Sequence, residues 1–204
     1  MKRRPHRRDE ILAAATGLFH EKGYHATGMD DIGLAAGITG PAIYRHFKNK
    51  EEILETLVSD TIGQVAERVT EAVSDADTPA AALQTLIQQY VAAALDNPAL
   101  TGILMFERRI LRAEVRSTVE RAERHYVEDW VHVLCQVRPE LSDSEARVIV
   151  QGLIGIGLSA ATYRSGLERE VLEPLLISMM TRASLADGPK EPVRSSSRRG
   201  TGAA

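Results

Sequence analysis

His125, Glu128, His132 and Cys135 stand three or four residues apart in the stretch HYVEDWVHVLC, a spacing that on a helix would bring nitrogen, oxygen and sulfur ligands to adjoining faces. The stretch has no H-E-x-x-H pair and no second ligand cluster, so no metal site is expected, and His6, His20 and His25 stand alone. Gly155, Gly157 and Ala160 fit G-x-G-x-x-A, but they lie inside a helical run with no strand before it, which removes the dinucleotide reading. No Ser/His/Asp, Cys/His or paired-carboxylate arrangement stands out, so neither catalysis nor a cofactor is expected. What remains is recognition chemistry. Thr39, Tyr44, Arg45 and His46 offer hydroxyl, guanidinium and imidazole groups of the kinds that meet phosphate oxygens and base edges.

Two short helical patterns present that set. In DDIGLAAGITGPAIYRHF, the first pattern would bury Ile32, Ala35 and Ala36 and the second Ile43 and Phe47, with Gly37 between them. A helix ending in the left-handed conformation takes glycine there, because a Cβ raises the cost. Thr39 is placed to cap the second helix, and Gly40 and Pro41 fall in its first turn, where a missing proline N–H loses nothing. The result is a helix-turn-helix whose second helix shows Thr39, Tyr44, Arg45 and His46 to a major groove. Upstream, Ile11, Ala15, Leu18 and Phe19 repeat with helical period from Asp9 to Lys22, and Thr27 with Asp30 has the form of a capping box. Downstream, Asn49 can cap a long helix, Lys50 to Val73, with the stripe Leu54, Leu57, Val58, Thr61, Ile62, Val65, Val69 and Val73.

Charge follows the same division. Residues 1–50 hold 9 Lys/Arg and 5 Asp/Glu, net +4; residues 51–186 hold 12 and 21, net −9; residues 187–204 hold 4 and 2, net +2. A basic end beside a helix-turn-helix suits a polyanion, and an acidic body keeps the rest of the molecule off it. Arg7 and Arg8 belong to MKRRPHRRDE, read as a basic arm over residues 1–8 that could follow a backbone or enter a minor groove. That segment has no apolar core and is not a signal peptide. The single cysteine, Cys135, precludes an internal disulfide and is consistent with a cytoplasmic location.

The remainder reads as helix without strand. Thr78 and Pro79 open one helix and Asn97 and Pro98 the next; a bend near Arg112 leads into a helix that Pro139 closes. Ser142 and Glu145 form a capping box, and a last helix begins between Leu167 and Leu172, with Pro174 in its first turn or kinking it. The apolar run 148–163 falls short of the roughly 20 residues a membrane span needs, so no membrane partner is expected. Its small residues Gly152, Gly155, Gly157, Ser159, Ala160 and Ala161 lower helix propensity and favour close approach of a partner helix, within the chain or from a second copy. Residues 188–204 are rich in Gly, Ser, Pro and Arg and are expected to be disordered.

Over its first quarter, in RRDEILAAATGLFHEKGY, ATGMDDIGLAAGITGPAIYRHF and KNKEEIL, the chain resembles the TetR/AcrR family of transcriptional repressors. The resemblance implies an all-α, nine-helix fold with a DNA-binding head over residues 1–49, an effector-binding and dimerisation domain over 50–186, and a tail over 187–204. It implies a homodimer on a palindromic double-stranded DNA operator, with Thr27, Gly40, Pro41, Tyr44 and Lys50 joining Thr39, Arg45, His46, Arg7 and Arg8 at the DNA; Tyr44 and Lys50 match positions that touch phosphates. Most relatives carry glycine at Pro41, so a backbone N–H contact made there is missing here. The resemblance also implies an effector pocket, for which Tyr90, Ile103, Phe106, Tyr126, Trp130, Leu134 and Tyr163 are candidates, with polar anchors among Gln88, Thr101, Arg108, Arg109 and Gln151. The arginines of ERRILRAEVRSTVERAER would suit the phosphates of an acyl-CoA, the first ligand class to consider ahead of other hydrophobic compounds. The last two helices, Ser144 through Leu185, would pair with those of a second subunit through Gly152, Gly155, Gly157, Ala160, Leu175 and Met179. A helical dimer that serves only as an interaction module is the competing expectation, opposed by the intact Tyr44, Arg45 and Lys50.

Overall fold

The structure, a computed structural model, describes residues 7–96, 98–106, 108–163 and 165–186. Among these lie nine α-helices and no strand: α1 (Arg7–Lys22), α2 (Met29–Ala35), α3 (Gly40–Ile43), α4 (Lys50–Ser74), α5 (Pro79–Asp96), α6 (Pro98–Phe106), α7 (Ala113–Val137), α8 (Asp143–Thr162) and α9 (Arg169–Ser184), with a 3-10 turn at Arg108–Ile110. Most boundaries sit at the expected signals. Gly23 and Gly37 take φ of 82° and 68°, the left-handed region. The Asn49 side chain accepts from the Glu52 amide at 2.8 Å, and Ser142 and Glu145 close a reciprocal box.

Several expectations are corrected. The first helix begins at Arg7, so Arg7 and Arg8 are helical; residues 1–6 of the arm and the tail from 187 lie outside the described residues. The cap of α2 is Gly28, whose amide donates to Asp31 at 3.0 Å; Thr27 is buried and its hydroxyl donates to the Gly23 carbonyl at 2.8 Å. The α1–α2 turn consumes that hydroxyl before the helix can use it. Thr39 occupies the N-cap of α3 without a side-chain cap bond. Ala35 is exposed, and Gly33 takes the buried place beside Ile32. Pro174 is the sixth residue of α9, inside the helix and beyond its first turn, the second of the two expected placements.

The apolar residues gather into two cores. One joins Ile11, Phe19, Ile32, Ile43, Phe47, Ile53 and Val58 of α1–α4 with Leu100 of α6, Leu111, and Val119 of α7. The other joins Val69 of α4 to Leu86 and Ile87 of α5, Trp130 and Leu134 of α7, Val150 and Leu153 of α8, and Leu176 and Met180 of α9. Helices α4 and α7 pack on each other and run through both cores, yet residues 59–68 of α4 and 120–129 of α7 bury no side chain fully. The head core therefore includes the corner between α6 and α7, and a layer in which α4 and α7 bury no side chain fully separates it from the body.

Candidate nucleic-acid interface and effector region

Helix α3 is one turn of helix extended by tighter turns: Phe47 N–H reaches Ile43 O at 3.1 Å, and His46 N–H the same carbonyl at 2.9 Å. Two fully buried side chains, Ile43 and Phe47, fasten it to the head core. Asp30 lies so near the start of α3 that a Cβ on Gly40 would fall 2.6 Å from its carboxylate. The polar side chains around α3 are turned outward to differing degrees. Tyr44 is 53% exposed; Thr39, Pro41 and Arg45 are exposed, and His46 is half-buried. Lys48, which the helical pattern did not single out, is exposed beside them. One surface thus carries a phenol, a guanidinium, an imidazole and an ammonium, with no carboxylate among the described residues bonded to them, suited to phosphates and base edges.

Three of the expected contact residues are not on that surface. Thr27 is buried in the α1–α2 turn. The Arg8 guanidinium lies over the Phe47 ring, 4.4 Å from its centroid, and donates to Thr56 Oγ1 at 3.2 Å. The Lys50 ammonium donates to the carbonyls of Tyr24 (2.7 Å) and Thr27 (2.8 Å) and lies 4.3 Å from the Tyr24 ring centroid. Arg7 remains exposed, paired with Glu10.

An ion pair that periodicity did not single out ties α4 to the start of α7. Glu55, on the buried side of α4, accepts from Arg112 Nε (2.8 Å to each carboxylate oxygen), from Arg112 Nη2 and from the Arg112 amide at 3.2 Å. These bonds hold the Glu55 carboxyl below its ordinary range, against the opposing pull of burial. The sequence signal was available: an acid between Leu54 and Val58 on a face otherwise committed to the interior.

In the body, the rings of Tyr90, Tyr126 and Trp130 meet at centroid distances of 5.9 to 6.2 Å. The Tyr90 hydroxyl donates to Ile154 O at 3.0 Å; burial pushes its pKa up to about 12 and raises that of Tyr126 further. Trp130 and Leu134 are fully buried. Beside them in the layer between the cores, Arg108 forks onto Glu123 at 2.8 Å on each oxygen, and burial still raises the Glu123 carboxyl above its usual value. Tyr163, by contrast, is 71% exposed at the end of α8 and does not join the aromatic group. The side chains of Ile103 and Phe106 lie outside the described residues. Of the polar anchors, Gln88, Arg109 and Gln151 are exposed and Thr101 is half-buried. Glu128 and His132 are engaged with Arg147 and Gln136.

Helices α8 and α9 pack side by side and leave an apolar outer face of Val148, Val171, Leu175, Met179 and Leu185. Gly152 and Gly155 are open on it: a Cβ at either would meet nothing within 4 Å. Gly157 is the exception among the expected interface residues. It is buried, and its Cβ would fall 2.3 Å from a Tyr90 ring carbon, so it serves packing within the chain. Ala160 is half-buried against the body core. Among the described residues no helix is long and apolar enough to cross a membrane.

A helix-turn-helix with an outward polar face, built on a helical body with an open two-helix surface, defines a regulator of the DNA-binding kind. Residues 11–57 match the model of the bacterial regulatory proteins of the tetR family. The transcriptional activator FasR of Mycolicibacterium smegmatis is 26% identical over 160 residues, 78% of this chain and 73% of that one. The transcriptional repressor KstR2 of Mycobacterium tuberculosis is 31% identical over 131 residues, 64% of this chain and 66% of that one; its solved structure superposes with a TM-score of 0.73 over 89% and 95% of the two chains. AibR, solved in complex with isovaleryl coenzyme A and operator DNA, shares the fold at a TM-score of 0.72 and 21% identity over 87% and 97%. The chain belongs to the TetR family of transcriptional regulators.

Proposed function

We propose that the chain is a homodimeric repressor that binds a palindromic operator in the cytoplasm and releases it when a small apolar or amphipathic molecule enters the body. The observation that carries this reading is α3: Ile43 and Phe47 hold it, and Thr39, Tyr44 and Arg45 stand free around it. Dimerisation through the open α8–α9 face would set two such helices about one turn of DNA apart. KstR2 is named a repressor and FasR an activator, so the direction of control is decided by assay.

The layer between the cores is where an effector would act. A ligand against Tyr90, Tyr126 and the Arg108–Glu123 pair would press on α7, whose N-cap residue Arg112 grips Glu55 of α4. Release follows only if the ligand binds the displaced arrangement better than the DNA-bound one. The complex of AibR with isovaleryl coenzyme A makes acyl-CoA thioesters the first class to test, with exposed Arg109 available to their phosphates. Trp130 is the only indole and is packed against both tyrosines, so its emission reports on this layer. Isovaleryl-CoA and longer acyl-CoA thioesters should shift that emission at the concentrations that release DNA. Release without any change in emission, together with a normal response of the Trp130→Phe variant, would place the effector site elsewhere.

A further inference from the structure

Gly40 opens α3, and the first residues of a helix laid in a major groove are those whose side chains reach base edges. Glycine brings no side chain to that place. Asp30 brings one from the first turn of α2: its Oδ1 stands 2.6 Å from the point that a Cβ on Gly40 would occupy. The carboxylate thus fills the position from which a side chain at residue 40 would project, and Gly40 leaves it the room. Nothing within the described residues uses this carboxylate. Its neighbour Asp31 closes the start of α2 by accepting from the Gly28 amide at 3.0 Å, whereas Asp30 is exposed and has no hydrogen-bond or ion-pair partner among them.

The sign of the charge narrows what Asp30 can meet. Thr39, Tyr44, Arg45 and Lys48 around α3 suit phosphates, but a carboxylate is repelled by every phosphate it approaches and gains only where it finds a donor. In the major groove cytosine presents a donor alone, its N4–H2; adenine sets N6–H2 beside the acceptor N7, and guanine presents acceptors, as does thymine beside its methyl. We infer that Asp30 is a specificity-determining residue of the DNA face: lent by α2 to the start of α3, its carboxylate accepts from the N4 amino group of one cytosine in each half-site. The inference rests on the operator-binding reading above and adds to it a reader outside α3, together with the base it reads.

Wild type, Asp30→Ala, Asp30→Asn and Gly40→Ala, each as a folded dimer below its melting temperature, select duplexes from random sequences. Gly40→Ala keeps the acid but drives its carboxylate aside, and only the end of a short side chain has to move. Should the wild type select no duplex, the operator-binding reading itself fails, before any variant is compared. The inference predicts that the wild type fixes one C·G pair in each half-site that Asp30→Ala and Gly40→Ala no longer fix, the other positions being unchanged. In Asp30→Asn that preference passes to A·T, since an amide both accepts from N6 and donates to N7. Asp30→Ala should bind the wild-type duplex about ten-fold more weakly, the scale of one mismatched base pair, and a scrambled duplex at least as tightly as wild type does, because a negative charge has left the DNA face. The same base pairs selected by all four proteins would overturn the inference. So would an equal loss of affinity on both duplexes with a lowered melting temperature, since Asp30 would then only steady the start of α3, where Thr39 makes no side-chain cap bond.

Discussion

In the head, α3 is held by two side chains and shows polar groups to the outside; on the body, α8 and α9 are held along their lengths by Val150, Leu153, Leu176 and Met180 and show apolar groups to the outside. The first arrangement leaves a short element with hydrogen-bonding capacity, fit for a hydrated, charged partner. The second leaves Val148, Val171, Leu175 and Met179 in water, a cost that covering them would remove. Where the molecule leaves burial incomplete, the chemistry of the uncovered residues indicates the partner: a polyanion at one end and a like surface at the other.

Gly157 and Gly155 offer the sharpest way to test that division, since they are two residues apart and face opposite ways. Gly157→Leu should have the largest effect of any single substitution. Its side chain would strike the Tyr90 ring, and overpacking of this kind costs about 1–3 kcal/mol, measured as a lower midpoint in urea for the whole body. Gly155→Leu should leave each subunit folded and instead weaken association, seen as monomer in sedimentation. If Gly155→Leu unfolds the chain while Gly157→Leu only dissociates it, the assignment of the two faces is reversed.

The ion pair between α4 and the start of α7 gives a smaller, pH-dependent effect. Arg112 holds the Glu55 carboxyl below its ordinary value of 4.5, so the pair contributes stability above that pH and loses it as pH falls through the lower folded value. Glu55→Gln should therefore be less stable than wild type at neutral pH, with the difference shrinking below pH 4.5. Thermal melts across that range check it. A constant difference would mean that Glu55 contributes shape and not charge.

Much of this was written locally in the chain. Gly37, Asn49, and Ser142 with Glu145 act within four residues of themselves, and the structure places each as expected. What local pattern could not supply was direction. Small residues at 152, 155 and 157 all announce close approach, but residues two apart on a helix point about 200° away from each other, and only the position of Tyr90 decides which one is inside. Lys50 and Arg8 raised the same difficulty. A basic side chain near a helix-turn-helix suits phosphate, and pattern alone does not show that the Lys50 ammonium also meets the Tyr24 and Thr27 carbonyls and the Arg8 guanidinium the Phe47 ring. Thr27 was misplaced by a single residue, because the turn before it took its hydroxyl.

The central claim is that the exposed face of α3 reads DNA. The most direct measurement is a titration of dimeric wild-type protein and of Arg45→Ala on the selected palindromic duplex and on a scrambled one, repeated across salt concentrations. Wild type should prefer the palindrome, with log K falling steeply as log salt rises. Arg45→Ala should lose about 1–3 kcal/mol of that preference while remaining a folded dimer. Equal binding of the two duplexes by wild type, or an unchanged preference in Arg45→Ala and in Tyr44→Phe alike, would contradict the account.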